Sequence, residues 1–484
     1  MSVALRAQAP SVLPALRAAS ALVFVTVVAL AAGAAVAVMG AWALALALYG
    51  GLAALCIADP RRGALALLAL AIAIEPNAID ATEPLSAALY GLPPMVEGLA
   101  PLTVHPLELL LVLVAVSVAA RRRRAREAPR ALPMVAWLVP LLIVGGIVYG
   151  VVQGGETNVA WHELRGLVFG TVAFWVVMRL DGPGAALKGV VLASTLALAA
   201  IVTVRHVWFE VYRETAIPNE FLYAHEDAVF LGVGFVVGVA FALRAPTAGG
   251  KAAYLLYSLL ILVAMMASGR RAAILVGIVG LAFVAWAMFP RRPWLVLGLG
   301  VPALVAGGVY LAAFWDAESG VLAQPARAVR SQVDPAPRDA SSDNYRRDEL
   351  HNIAVTLERS PLLGVGFGRP FELERPLPEL DFWPLQFHTP HQNVLWLWLK
   401  MGLAGVANFL ALWAIALQRC LTAFRAAPRG SLPLLPLAIA CTLLMYLFYA
   451  SVDLAFISAR SAVPLAVAMA LAFRLPGAGS EDVP

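Results

Sequence analysis

Charge is scarce in this chain. Asp, Glu, Lys and Arg make up 13% of its 484 residues, against about 25% in soluble domains. So few charges cannot clothe a chain of this length in water, which excludes an ordinary soluble enzyme. Cysteine is nearly absent too: Cys56, Cys420 and Cys441 are the only three, and none falls in a loop where an oxidising compartment would pair it, so no disulfide framework is implied. No internal repeat is visible. The GVGFG run at 364–368 has no strand–helix–strand context that would make it a nucleotide fingerprint.

What is abundant is apolar. Hydrophobic residues make up 61% of the sequence and the mean hydropathy is +0.81. The expected fold is all-α, a polytopic membrane protein forming a single integral membrane domain over residues 1–484. A span needs about 20 apolar residues, and about fourteen candidates (roughly twelve to fourteen) meet a hydropathy criterion. They start near Ala19, Ala41, Gly63, Pro106, Leu132, Val159, Ala186, Glu226, Ala252, Arg271, Trp294, His391, Leu432 and Leu454, and the one from Gly63 is the shortest. A second apolar run follows the Ala19–Met39 segment at once, so that segment reads as a retained span rather than a cleaved leader.

Lys and Arg set the orientation. Arg61 and Arg62, the run Arg121 to Arg124, Lys188, Lys251, Arg291 and Arg292, and Arg419, Arg425 and Arg429 fall in alternate loops, which marks those loops and both termini as cytoplasmic. All seven histidines then fall at or beyond the opposite face. The net charge of +5 is accounted for by these basic loops, whose partner is the anionic bilayer surface rather than nucleic acid.

Two segments outside the spans are large: residues 76–105, and residues 316–390, the only long polar excursion. A loop of that size is commonly functional. Within it, residues 325–344 read as irregular chain because Pro, Ser and Asp dominate. In contrast, Tyr345 to Arg359 has Leu350, Ile353, Ala354 and Leu357 at helical spacing. Ser360 and Pro361 stop that helix, and PLLGVGFG follows as a tight turn. The loop ends at His388 and His391, where HTPHQ runs into the apolar NVLWLWLKMGLAG. An ionisable group at such a boundary costs free energy that a neutral residue would not, so its default reading is functional.

ASGRRAAIL between two spans, then the YRRDEL helix leading to PLLGVGFG, then PHQNVLWLWLKMGLAG, together resemble the O-antigen ligase and polymerase superfamily of bacterial membrane glycosyltransferases. His391, Leu395, Gly402 and Gly405 stand in the family register. Gln392, with Asn393 beside it, stands where Asn is usual, and Lys400 where Glu is common; Lys400 must snorkel or find a partner.

The resemblance implies transfer of a glycan from an undecaprenyl-diphosphate donor to an acceptor hydroxyl at the periplasmic face of the inner membrane, with neither metal nor cofactor. The acceptor would be another lipid-linked glycan for a polymerase, or lipid A-core for a ligase. A chain-length regulator is left open as a partner. The expected span count tilts the reading to an O-antigen or exopolysaccharide polymerase.

Guanidinium groups suit a diphosphate leaving group because they bind it bidentately and keep their charge. The expected catalytic groups are Arg270 and Arg346, the latter fifteen residues before Pro361, together with His391 as general base. Arg271, Arg347, Arg165, His388 and Arg460 are the expected substrate-binding residues. Each has a plainer alternative. The paired arginines could snorkel to lipid phosphates, one of Arg346 and Arg347 could face water, and Arg165 could pair with Glu163 or the headgroups. Arg460 and Asp453, two turns apart on one helix face, could each satisfy the other or a neighbouring helix. Trp383, Phe387, Trp396 and Trp398 read mainly as interfacial belt residues. A lipid-linked oligosaccharide flippase or other transporter, or a noncatalytic subunit of a polysaccharide export machine, remains an alternative at this stage.

Overall fold

The computed structural model describes residues 41–475 apart from 77–81, 92–103, 126–132, 181–183, 213–222, 318–319, 336, 381–382 and 429–431. The expected first span, both termini and most of the 76–105 loop lie outside the described residues.

The apolar runs form helices, as they must where no water is present to satisfy backbone groups. In chain order these are α1 (Ala41–Ala58), α2 (Pro60–Ala73), the short α3 (Glu83–Tyr90), α4 (Pro106–Ala125), α5 (Met134–Val152), α6 (Thr157–Arg179) and α7 (Gly184–Arg205). A π-helical turn, His206–Tyr212, extends α7. Then come α8 (Asp227–Arg244), α9 (Ala248–Ala267), α10 (Arg271–Met288) and α11 (Pro293–Phe314). The polar loop carries α12 (Gln324–Arg330) and α13 (Pro337–Arg359), and α14 (Asn393–Ala426), α15 (Leu434–Ala450) and α16 (Ala459–Arg474) close the chain. No strand occurs among the described residues.

Seven of the described helices are long and apolar enough to cross a membrane: α5, α7, α8, α9, α10, α11 and α14. The other expected segments within the described residues also fall on helices, but α2, α15 and α16 have 14, 17 and 16 residues, and α4 ends in the arginine run. The α11 helix buries none of its residues, and Trp294, Leu304 and Val309 point outward, as lipid-facing side chains would. The centre is built from α6 against α16, and from α8 against α9 and α10.

The polar loop is more ordered than its composition suggests. Residues 325–344, expected to be irregular, contain α12 and the first turns of α13. Pro337 opens α13, where its fixed φ fits and its missing N–H has no partner to lose, and Asp343 is held by Arg271. The helix ends at Arg359, and the PLLGVGFG turn then tucks between α5 and α14.

That turn explains a break in α14. Gly402 has φ 67° and ψ −174°, so the helix ladder is interrupted there. The freed groups are taken up by the turn: Leu399 O accepts from Val365 N at 2.6 Å and from Gly366 N at 3.2 Å, and Leu403 N donates to Leu362 O at 3.0 Å. On the other side Phe367 N donates to Gly146 O of α5 at 3.1 Å. Gly366 has φ +81°, and a Cβ there would fall 2.5 Å from Gly150 Cα. No other residue allows both that backbone and that approach.

Lys400 finds a partner rather than snorkelling. Its Nζ lies 2.6 Å from Glu163 Oε1 and donates to Arg369 O at 2.5 Å, while the second carboxylate oxygen accepts from Gly368 N at 2.5 Å. Both side chains are fully enclosed, and the pair fastens the end of the turn to α6. Trp396 is fully buried against Phe367, and Trp398 donates its indole N–H to Pro361 O at 2.6 Å. These two aromatics therefore serve the turn rather than an interfacial belt.

Candidate active site

His391 sits just ahead of α14, which Gln392 caps by accepting from Leu395 N at 3.0 Å. The next residue fixes its surroundings: Asn393 Oδ1 accepts from Ala455 N at 2.7 Å and Phe456 N at 2.9 Å. The turn between α15 and α16, which carries Asp453, is thereby tied to the histidine.

The partner of His391 is Glu349 of α13. The histidine backbone N–H donates to Glu349 Oε2 at 3.0 Å, and its Nδ1 lies 3.2 Å from each carboxylate oxygen. Glu349 is buried, whereas the imidazole is partly open. A carboxylate on Nδ1 selects the tautomer that leaves Nε2 free to accept a proton. The Tyr345 ring meets the imidazole edge to face at 5.8 Å; burial, reinforced by Glu349, pushes the Tyr345 hydroxyl up to about 12.

Arg346 lies one turn before Glu349, the spacing that puts both on one helix face. It is half-buried and makes no hydrogen bond or salt bridge among the described residues, but it lies within electrostatic reach of Asp453. Arg347 turns away: it is exposed and donates to Asn344 Oδ1 at 2.9 Å.

A second histidine completes the cluster. His225 Nδ1 stands 2.9 Å from Asp453 Oδ1 and 3.3 Å from Arg270 Nη1. Burial would raise the Asp453 carboxyl, but His225, and then Arg346 and His391, hold it well below the usual carboxylate range. Arg270 also donates to Tyr223 O, and its Nε is buried without a hydrogen bond. Arg271 takes the opposite course, forming a bidentate pair with Asp343 at 3.0 and 3.3 Å. One arginine of each expected pair thus enters the cluster, and the other supports or leaves the loop helix.

Residues 256–410 match the family model described as O-antigen ligase. The match bears out the resemblance to the O-antigen ligase and polymerase superfamily over that segment. No curated protein matches it. The matched segment runs from within α9 into α14 and contains Arg270, Arg346, Glu349 and His391, whereas His225 and Asp453 reach the same cluster from outside it.

Three expected substrate-binding residues stand apart from that cluster. His388 lies near Lys400; burial and then that ammonium lower its pKa to about 4, and its Nδ1 is buried without a partner. Arg165 pairs not with Glu163 but with Glu108 of α4, bidentately at 2.9 and 2.7 Å. Glu163 was unavailable because Lys400 holds it.

The expected Arg460–Asp453 pairing does not form. Residues 451–458 are non-helical and α16 begins at Ala459, so the two residues share no helix face. Arg460 instead binds Asp227 Oδ1 at 2.7 Å and the carbonyls of Ala71, Ile72 and Ile74 at 3.0, 3.2 and 3.1 Å. A cation at these last carbonyls of α2 also meets the negative end of its dipole.

Sequence reasoning missed Glu349, His225, Asp453 and Glu108. Glu349 had a usable signal, its one-turn spacing from Arg346. The others are joined by contacts across more than fifty residues, which no local pattern encodes. No group of three or more His, Cys, Asp or Glu suited to a metal ion occurs among the described residues.

Proposed function

We propose that this protein transfers a glycan from an undecaprenyl-diphosphate donor to an acceptor hydroxyl at the periplasmic face of the inner membrane, both termini being cytoplasmic. The observation that carries the reading is His391, oriented by buried Glu349, in one cluster with the Arg346 guanidinium, which is unpaired among the described residues.

In this reaction the acceptor hydroxyl gives its proton to His391 Nε2 as its oxygen bonds to the anomeric carbon of the donor sugar. The bond from that carbon to the diphosphate oxygen breaks, and undecaprenyl diphosphate departs with the electron pair. Negative charge grows on the departing oxygens, and Arg346 and Arg270 are placed to hold it. Fixed cationic donors stabilise a transition state by about 2.7–4 kcal/mol each. The Glu349 carboxylate stabilises the imidazolium that forms. His225, held by Asp453, stands beside Arg270.

The preferred acceptor is a second lipid-linked glycan, giving an O-antigen or exopolysaccharide polymerase. The support is the expected count of about fourteen spans by hydropathy. The protein reconstituted with purified lipid-linked repeat, and separately with a core-lipid acceptor, tests this. A ladder of longer lipid-linked glycans is expected, and transfer to core lipid alone would make it a ligase. Unchanged transfer by His391→Ala would remove the catalytic assignment altogether.

A further inference from the structure

Far from the cluster, a cavity of about 370 Å³ lies between the last turns of α10 and α14, with Trp286, Pro290, Arg291, Leu421, Phe424 and Arg425 in its wall. Both helices start at the cluster, α10 just after Arg270 and α14 just after His391, so the cavity is at the opposite end of each. Both also pack on α15. At this end Arg291 bridges them: its Nη2 donates to Phe424 O at 2.7 Å and Arg425 O at 3.2 Å, and its guanidinium rests 4.3 Å from the centre of the Phe424 ring.

Those bonds occupy one nitrogen only. Arg291 Nη1 makes no hydrogen bond among the described residues and is not enclosed. The Arg425 side chain is exposed and has neither a hydrogen bond nor a salt bridge among the described residues. Trp286 is 55% exposed, and its indole N–H likewise lacks an acceptor there. Three unused donors thus border a space in which a single water would need only about 10–15 Å³.

Charge decides what the space suits. No Asp or Glu occurs in α10, α11, α14 or α15, so no carboxylate on these helices neutralises the two guanidinium groups. The C-terminal ends of α10 and α14 each contribute about −0.5, which leaves an excess of about one positive charge. A phosphodiester carries one negative charge. A zwitterionic headgroup would bring an ammonium as well, with no carboxylate on these helices to receive it. Trp286, Leu421 and Phe424 set apolar surface beside the donors, which a lipid can cover and a free phosphate cannot. Basic loops in general draw anionic lipid to a membrane face without choosing a molecule, whereas a basic pocket between helices can hold one.

We propose that this cavity binds the phosphodiester of one anionic phospholipid, in the leaflet away from His391, between Arg291 and Arg425 and with Trp286 against its glycerol. The site takes no part in glycan chemistry and stands whether or not His391 acts on a sugar.

The probe is phosphatidylglycerol, titrated into the purified full-length protein in neutral detergent, with bound lipid counted by native mass spectrometry. One molecule per chain should be retained at concentrations where phosphatidylcholine is not. Arg425→Gln removes a side chain that no described residue uses and should weaken retention at least about fivefold. Lys251→Gln, an exposed basic residue outside the cavity, should leave it unchanged. Equal retention of phosphatidylcholine, or unaltered retention in Arg425→Gln, would overturn the proposal. An equal loss in Lys251→Gln would do so too, by showing attraction to the whole basic face. Displacement of the lipid by millimolar glycerol 3-phosphate or inorganic phosphate would replace the lipid site with one for a free anion.

Discussion

Arg346 and Arg460 are the same residue type at comparable apolar boundaries, yet their surroundings give their charges different work. Arg460 is enclosed by Asp227, three carbonyl oxygens and the Phe230 ring. Arg346 has no hydrogen-bonding partner among the described residues, and its electrostatic neighbour Asp453 is already committed to His225. The lesson is that burial alone does not mark a functional arginine. What separates the two is whether the fold has already satisfied the guanidinium.

The comparison predicts opposite losses. Arg460→Leu strands Asp227 and three carbonyls in the interior, and breaking one side of a buried pair costs about 3–5 kcal/mol. Thermal unfolding in detergent should show a large drop in Tm, or the protein should fail to accumulate. Arg346→Ala should leave Tm nearly unchanged and lower kcat for glycan transfer by about 10²–10³-fold. Equal destabilisation of the two variants would erase the distinction.

A finer contrast lies between neighbours. Arg347→Ala removes an exposed contact to Asn344 and should change transfer by less than about twofold, since exposed interactions contribute about 0–1 kcal/mol. A drop as large as that of Arg346→Ala would reverse the assignment made from their positions on α13.

Lys400 extends the same contrast to a paired cation. Lys400→Met alone leaves Glu163 buried and unmatched and should be strongly destabilising, whereas Lys400→Met with Glu163→Leu should recover most of the loss, because replacing a whole buried pair is often neutral. A double-mutant cycle on Tm measures this; independent, additive losses would contradict the pairing.

The smallest effect concerns His388. Its folded pKa of about 4 lies below the unfolded value near 6.5, so the unfolded chain binds the extra proton between these values. Stability is therefore full above pH 6.5 and declines as pH falls toward 4. His388→Asn should flatten the fall in Tm over that window, and an unaltered slope would mean the loss comes from other groups.

Much of the fold was legible because lipid demands helices and hydropathy reports them. The segments expected from Ala41 onward all fall on helices. The loop was less legible: Pro337, Ser341 and Ser342 read as irregular chain, yet such residues also begin helices, and the Arg271–Asp343 contact that favours the longer helix is a tertiary one. Within the candidate cluster, Arg346, Arg270 and His391 were named from motif spacing, and the fold brings them together. The dyad partners Glu349 and Asp453 could not be assigned, because sequence shows that a charge exists and not what it faces. Lys400 was visibly in need of a partner, but nothing in the chain named Glu163.

The glycine break in α14 also sets a height. Taken whole, that helix has 34 residues, about 51 Å at 1.5 Å per residue, against a hydrocarbon layer of about 30 Å. The portion after Gly402 is long enough to cross that layer unaided, so the nine residues before it form a post of about 14 Å with His391 at its tip. On the proposed reaction, that tip stands at headgroup height, where the donor's lipid tail can stay in the bilayer while its sugars stand in water.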